Sequence, residues 1–299
     1  MTISKLLFPL ALLFIILMAM FARNQRKFSV PESPPMKEPP QVQTRTPAPQ
    51  VVAKKAVVAA PTKAREAPRP SGKLEGNQVE FVVENGMAIA FGDIVLGNPE
   101  REDVARGIFV APTPQLWDRS EIPYSIDPKL PNPERVKEAI AYFQSNTPVK
   151  FVPYQGQPDA IVFAPGNDNC YSMLGRQGGM QPIYLNGACT WNHITHELMH
   201  ALGFIHEHSR TDRDQYVKVV YENIDIKYQP QFNIVPDSFM ETVRDSPFDF
   251  QSIMLYEKNA FARLSDLLTL IPLSRAAIQP AKFGLSALDR QRLNKFYRK

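Results

Sequence analysis

The chain has 299 residues, room for one sizeable core plus appendages. Its formal charge is only +4, and no arginine or lysine stripe is interleaved with aromatics, which argues against a nucleic-acid partner. There are two cysteines, Cys170 and Cys189; in a cytosolic protein such a pair stays reduced and inert.

Residues 6–22 form an almost unbroken apolar run, with Lys5 before it and Arg23, Arg26 and Lys27 after. Its 17 residues are the short end of what spans a bilayer core of ~30 Å as a helix. The run reads as a membrane anchor or as the apolar region of a cleaved signal. Basic residues on both flanks leave its orientation open. Residues 29–73 are rich in Pro, Ala, Lys, Val and Gln, with no aromatic after Phe28. Such a segment buries too little apolar surface to offset its ordering entropy and reads as an extended linker.

The character then changes. Residues 79–84 predict a strand, Asn85-Gly86 a hairpin turn and residues 87–90 a return strand. Phe91-Gly92-Asp93 follows, then a charged stretch over residues 100–107. Residues 122–126 predict a strand. Asn132-Pro133-Glu134 reads as cap, first turn and early acid of a helix ending near Ser145. Val136, Ala139, Ile140 and Phe143 give that helix its apolar face. Further strands are expected at residues 149–152, 160–163 and 183–185, and an extended stretch at 216–221. Ser286-x-x-Asp289 predicts a capping box opening a last helix, with Leu288, Leu293 and Tyr297 turned inward.

Residues 190–202 predict a helix holding His196-Glu197-Leu198-Met199-His200, followed by Gly203 and His206. Residues i and i+4 share a helix face, so His196 and His200 can offer two imidazoles to one cation. Gly203 takes positive φ at no steric cost, which stops the helix and lets the chain bring in His206. Three protein ligands leave an open position, as a catalytic zinc needs. Glu197 can reach a water on that ion. All five histidines fall between His193 and His208; His193 and His208 read as hydrogen-bonded or solvated rather than ligating.

The full H-E-x-x-H-x-x-G-x-x-H pattern belongs to the metzincin zinc proteases. Glu207, Ser209-Arg210, Asp212-Arg213-Asp214 and Cys170-Tyr171-Ser172 followed by Gly175-Arg176-Gln177-Gly178-Gly179 resemble the astacin family within that clan. Ser252-Ile253-Met254-Leu255-Tyr256 resembles its Met-turn, although Leu255 stands where most members carry a non-ligating histidine. The resemblance covers roughly residues 117–297. A single domain without trailing modules, and one missing family disulfide, lean toward bacterial members.

The resemblance implies an α+β, metzincin-like two-subdomain zinc protease. A twisted mixed sheet with helices would lie above an active-site cleft, over an irregular, mostly helical lower subdomain. It implies metal ligands His196, His200 and His206, with Glu197 as general base. Tyr256 would be the tyrosine that hydrogen-bonds the tetrahedral intermediate, and Met254 an apolar floor. It implies a Cys170–Cys189 disulfide, hence an oxidising compartment, periplasmic or extracellular. The strand containing Ile161 would be the edge that pairs with an extended peptide. In the family, the mature chain starts about ten residues before a tryptophan comparable to Trp117, which implies processing at Arg106-Gly107, and the freed amino terminus is buried near the glutamate matching Glu207. Its pro-segments carry a Phe-x-Gly-Asp motif whose aspartate blocks the metal; here Phe91 sits one place nearer Asp93, and an ordinary turn is the other reading.

The expected organisation is therefore 1–28 anchor or signal, 29–73 linker, 74–106 pro-segment and 107–299 catalytic domain. The expected activity is zinc-dependent hydrolysis of protein or peptide substrates by a monomeric catalytic domain. A membrane-anchored, inactive zinc-binding protein and a tethered scaffold are the alternatives. Glu197, often lost in dead relatives, favours the enzyme.

Overall fold

Strand alternation sets one face of the sheet that carries the site. In β10 (Met180–Leu185) Gln181, Ile183 and Leu185 are buried while their neighbours turn outward. The computed structural model describes residues 78–84, 86–99, 108–167 and 169–298. Segments 1–28 and 29–73 and the Arg106-Gly107 junction lie outside the described residues, and among those described no helix is long and apolar enough to cross a membrane.

The described chain opens with β1 (Gln78–Glu80), β2 (Val82–Glu84), β3 (Met87–Ala90) and β4 (Ile94–Gly97). β2 and β3 form the expected hairpin, with Glu84 opposite Met87. The predicted strand 79–84 is broken at Phe81, because β1 leaves to pair with β5 (Ile108–Val110). Next come β6 (Glu121–Ile126), helix α1 (Glu134–Asn146), β7 (Lys150–Pro153), β8 (Ala160–Pro165), β9 (Tyr171–Met173) and β10. They are followed by α2 (Trp191–Ala201), a run of short 3₁₀ turns, the pair β11 (Val217–Val219) and β12 (Leu270–Pro272), and α3 (Ala287–Tyr297).

The main sheet has the order β2-β3-β4-β9-β10-β8-β6-β7. β7, β6, β8 and β10 run parallel to one another, and β9 is antiparallel to β10. This corrects the expected peptide-pairing edge. Ile161 lies opposite Gln181 on one side and Tyr124 on the other, in a strand flanked on both sides. Without the hairpin strands of residues 82–97 the sheet would end at β9, and those strands extend it there through β4.

Val136, Ala139, Ile140 and Phe143 of α1 are buried, as their spacing requires. Asn132 does not cap the helix; it takes φ +55°, and the N-cap is Pro133 without a side-chain bond. The α1 face meets α2, α3 and the strands in the main core, which also takes in Ile253 and Met254. A second apolar cluster joins Val79, Ala90, Phe91 and Ile94 to Leu174, Ile205, Phe239 and Met240. A third, around Phe232, Leu255 and Leu270, fills the irregular lower part. The Cys170–Cys189 disulfide is formed.

α3 opens with the expected capping box: Ser286 and Asp289 bond each other's backbone N–H. Leu293 and Tyr297 are buried, but Leu288 is only half-buried; Asp289 and Arg292 go inside instead. Asp289 accepts bonds from Ser252 Oγ at 2.6 Å and Ile253 N at 3.0 Å, which fastens the Met-turn to this helix. Arg292 donates to Glu207 Oε1, and Arg210 Nη1 (3.3 Å) and Asp249 N (2.9 Å) fill Glu207 Oε2. Glu207 and Arg210 are fully buried, so each charge depends on its partners. Replacing Arg292 with Met strands a buried carboxylate, with an expected loss of about 3 kcal/mol of stability in urea unfolding. A loss below about 1 kcal/mol, the range of exposed pairs, would show that Arg210 alone compensates Glu207.

Candidate metal centre

Helix α2 is built to present two imidazoles. Thr190 caps it, accepting from His193 N, and His193 Nδ1 closes the capping box by accepting from Thr190 N at 3.0 Å. His193 is thus a cap, in line with its sequence reading. Leu202 ends the helix and Gly203 takes φ +94°, a backbone conformation that favours glycine; a Cβ there would also crowd Leu116 Cδ2 at 2.6 Å. The chain reverses, and His206 returns to the same side.

The three rings converge on one point. His196, His200 and His206 centroids lie 4.7–5.1 Å apart. His196 Nδ1 donates to Ile253 O at 2.8 Å, and His200 Nδ1 to Phe204 O at 2.8 Å. A ring nitrogen bonded to a carbonyl carries the proton, so the opposite Nε2 of each is a bare lone pair. His196 Nε2 lies 3.1 Å from His206 Nε2, and His200 Nε2 is buried without a hydrogen-bond partner. Lone pairs gathered in this way repel unless a cation sits among them.

Asp93 completes the group. Its Oδ1 lies 3.0 Å from His200 Nε2 and 3.4 Å from His206 Nε2, and its Oδ2 3.4 Å from His196 Nε2. The four ligand atoms lie within 4.8 Å of one another and could hold one metal ion. Three neutral imidazoles and one carboxylate are a donor set that suits zinc. Burial pushes the Asp93 carboxyl up, but positive charge on the surrounding imidazoles, in the place a bound cation would take, outweighs it and holds the group well below the usual carboxylate range. The Phe91-Gly92-Asp93 turn sits between β3 and β4. Ser172 N of β9 donates to Asp93 O at 3.1 Å, and Phe91 is buried with its ring edge-on to Phe239.

Glu197 is buried beside this group with one carboxylate oxygen unpartnered. Burial and the Asp93 charge push its carboxyl well above the ordinary range. Tyr256 packs on His206, with ring centroids 5.0 Å apart. Burial, Asp93 and Glu197 push its phenol upward, so it holds its proton. A Cβ on Gly92 would stand 2.0 Å from the Tyr256 hydroxyl, so this tyrosine lies directly against the 91–93 turn. Met254 is buried, and its carbonyl accepts from Glu207 N at 2.9 Å. His196, Glu197, His200, His206 and Tyr256, all singled out by sequence, therefore converge, together with Asp93. Sequence reasoning missed the β9 edge, the pairing of Glu207 with Arg292, and the burial of His208. Of these, only the Glu207 pairing left a signal, the arginine one helical turn beyond Asp289 on the same face of α3.

Residues 109–298 match the family described as Astacin, a peptidase family. Zinc metalloproteinase nas-7 of Caenorhabditis elegans is 34% identical over 187 residues, covering 61% of this chain and 48% of that protein. Astacin-like metalloprotease toxin 1 of Loxosceles intermedia is 37% identical over 194 residues, covering 62% of this chain and 72% of that one. The solved structure of high choriolytic enzyme 1, a hatching enzyme zinc-protease from the medaka Oryzias latipes, superposes with a TM-score of 0.55. It is 31% identical and covers 61% of this chain and 94% of its own. The chain spans about half the length of several curated relatives it matches. By the match over residues 109–298, the chain belongs to the astacin family of peptidases.

Proposed function

We propose that the chain is a zinc-dependent endopeptidase acting on protein or peptide substrates, with residues 74–106 serving as a pro-segment that keeps it latent. The observation that carries this reading is the convergence of three imidazole nitrogens, two of them bare, beside the buried Glu197, in a domain of the astacin family. His196, His200 and His206 would hold the ion. Zinc, when bound, supplies Lewis acidity that polarises a scissile carbonyl and acidifies a water.

The chain's own residues do the rest. Glu197 takes a proton from the attacking water and passes it to the leaving amine. The protonated Tyr256 phenol donates a hydrogen bond to the developing oxyanion. The β9 edge offers backbone N–H and C=O groups to an extended substrate, in the place that β4 now fills. Asp93 holds the position the catalytic water needs. The disulfide fits an oxidising compartment, periplasmic or extracellular, and residues 1–28 would act there as anchor or signal. Residues 29–73 would be the linker and 107–299 the catalytic domain.

Three outcomes test the reading. Glu197→Gln keeps its zinc by elemental analysis and loses casein hydrolysis by about a thousandfold; hydrolysis near the parental rate would remove the base assignment. Asp93→Ala in the full chain raises basal hydrolysis at least about tenfold, and an unchanged rate would sink the latch. Gly92→Ala drives a methyl group into the Tyr256 hydroxyl and should loosen the same turn. Limited proteolysis of residues 78–99 then runs faster than in the parent; equal rates would mean that the turn yields without releasing its hold.

A further inference from the structure

His208 is fully buried, yet it belongs neither to the ligand set nor to the proton-transfer pair. Its ring lies flat on Tyr256, with centroids 3.8 Å apart and planes 28° apart. It also stacks with His206, at 5.0 Å and 26°. Phe232 closes the group, 5.5 Å from His208 and edge-on to Tyr256 at 5.6 Å. The platform is braced from behind. Arg213 Nη1 donates to His208 O at 2.7 Å and also to Phe232 O, tying the two rings' backbones together. His208 Nε2 faces Gln231 O at 3.3 Å.

Tyr256 has no comparable tether. Its hydroxyl makes no hydrogen bond to any described residue and rests against Gly92 of the 91–93 turn. Once that turn leaves, no described hydrogen bond defines where the phenol points; packing does, chiefly against His206, His208, Phe232 and Phe261. Offset-stacked rings hold both a distance and a plane, which aliphatic packing does not.

We infer that His208 is a positioning residue: its ring is the backstop that aims the Tyr256 hydroxyl at the reacting carbonyl. The inference rests on the proposed role of Tyr256 in peptide hydrolysis. A merely space-filling His208 would affect folding, and its loss would act equally with or without the tyrosine hydroxyl.

The experiment uses the full chain, treated with trypsin until casein hydrolysis is maximal, and assayed on a single fluorogenic peptide. His208→Leu should lower kcat about tenfold, with KM within about twofold and zinc content unchanged, since misplacing a catalytic group by about 1 Å costs at least that much. His208→Phe, which keeps a flat ring on the tyrosine, should recover kcat to within about threefold of the parent. In a Tyr256→Phe background, adding His208→Leu should change kcat by less than about twofold, because the group being aimed is already gone. In the untreated chain labelled with 13C-tyrosine, His208→Leu should speed the ring flip of Tyr256.

A parental kcat in folded His208→Leu overturns the inference. So does an undiminished loss in the Tyr256→Phe background, or loss of zinc, which would place the effect on His206. Should His208→Leu fail to fold, His208→Asn, too small to cover the ring, carries the same expectations. The two readings separate cleanly. A Tyr256→Phe variant as fast as the parent removes the role of the tyrosine itself, whereas a slowed Tyr256→Phe beside an unaffected His208→Leu removes only that of His208.

Discussion

Three imidazole nitrogens are gathered at one point, and two of them, on His196 and His200, are bare lone pairs that favour a cation beside them. That constraint governs the centre of the molecule. His196 and His200 are locked in one tautomer by backbone carbonyls, so neither can relieve the repulsion by moving a proton to Nε2. The carbonyls are fixed in turn. Ile253 belongs to the Met-turn, which Asp289 of α3 grips through Ser252 and the Ile253 amide. Phe204 follows the helix stop at Gly203, where the positive φ favours glycine. The rigidity is therefore imposed from two sides, by the far end of the chain and by one glycine, and it keeps the two imidazoles oriented for a cation.

The same logic explains the buried charges below the site. Glu207 follows His206 directly, so any movement of its carboxylate is felt at that imidazole. Its two oxygens are filled by Arg292, Arg210 and the Asp249 amide. Burying three charges adds little net stability compared with apolar residues of similar shape. What it adds is a single geometry. Arg292 cannot pair with Glu207 unless α3 is seated, and a seated α3 presents Asp289 to the Met-turn. One helix thereby sets the height of His206 and the tautomer of His196 together.

Much of this was legible in the residues. The H-E-x-x-H spacing with Gly203 and His206 located the centre, the Asn85-Gly86 pair located a hairpin, and Ser286-x-x-Asp289 located α3. The illegible parts are those where tertiary pairing decides. β8 is a continuous apolar run, and such a run is the same whether it lies at an edge or between two neighbours; only the sheet order places Ile161 inside. β9 has three residues, too few to show a period. In α3 a hydrophobic count favours Leu288 over Arg292, because it cannot see that Glu207 waits inside. His208 read as a hydrogen-bonded or solvated loop histidine, and its burial was illegible for the same reason: two of its aromatic neighbours come from residues 232 and 256.

The proposed latch is more than one carboxylate. Val79, Ala88, Ile89, Ala90, Phe91, Ile94 and Val95 are all buried to 5% exposure or less, several of them against Leu174, Ile205 and Phe239. Side chains such as Phe91 and Ile94 each contribute about 1.5–3 kcal/mol when fully buried. The sheet and the apolar cluster therefore share with Asp93 the work of holding the segment, and the carboxylate has to be at the right register. Register is what β4 supplies, by pairing Ile94 with Ser172 and Val95 with Met173 one step beyond the aspartate. An extended substrate would need that same β9 edge. On the proposed reading, latency and substrate binding are competing uses of one strand's backbone, and occupation of the metal position by Asp93 follows from which of the two is paired.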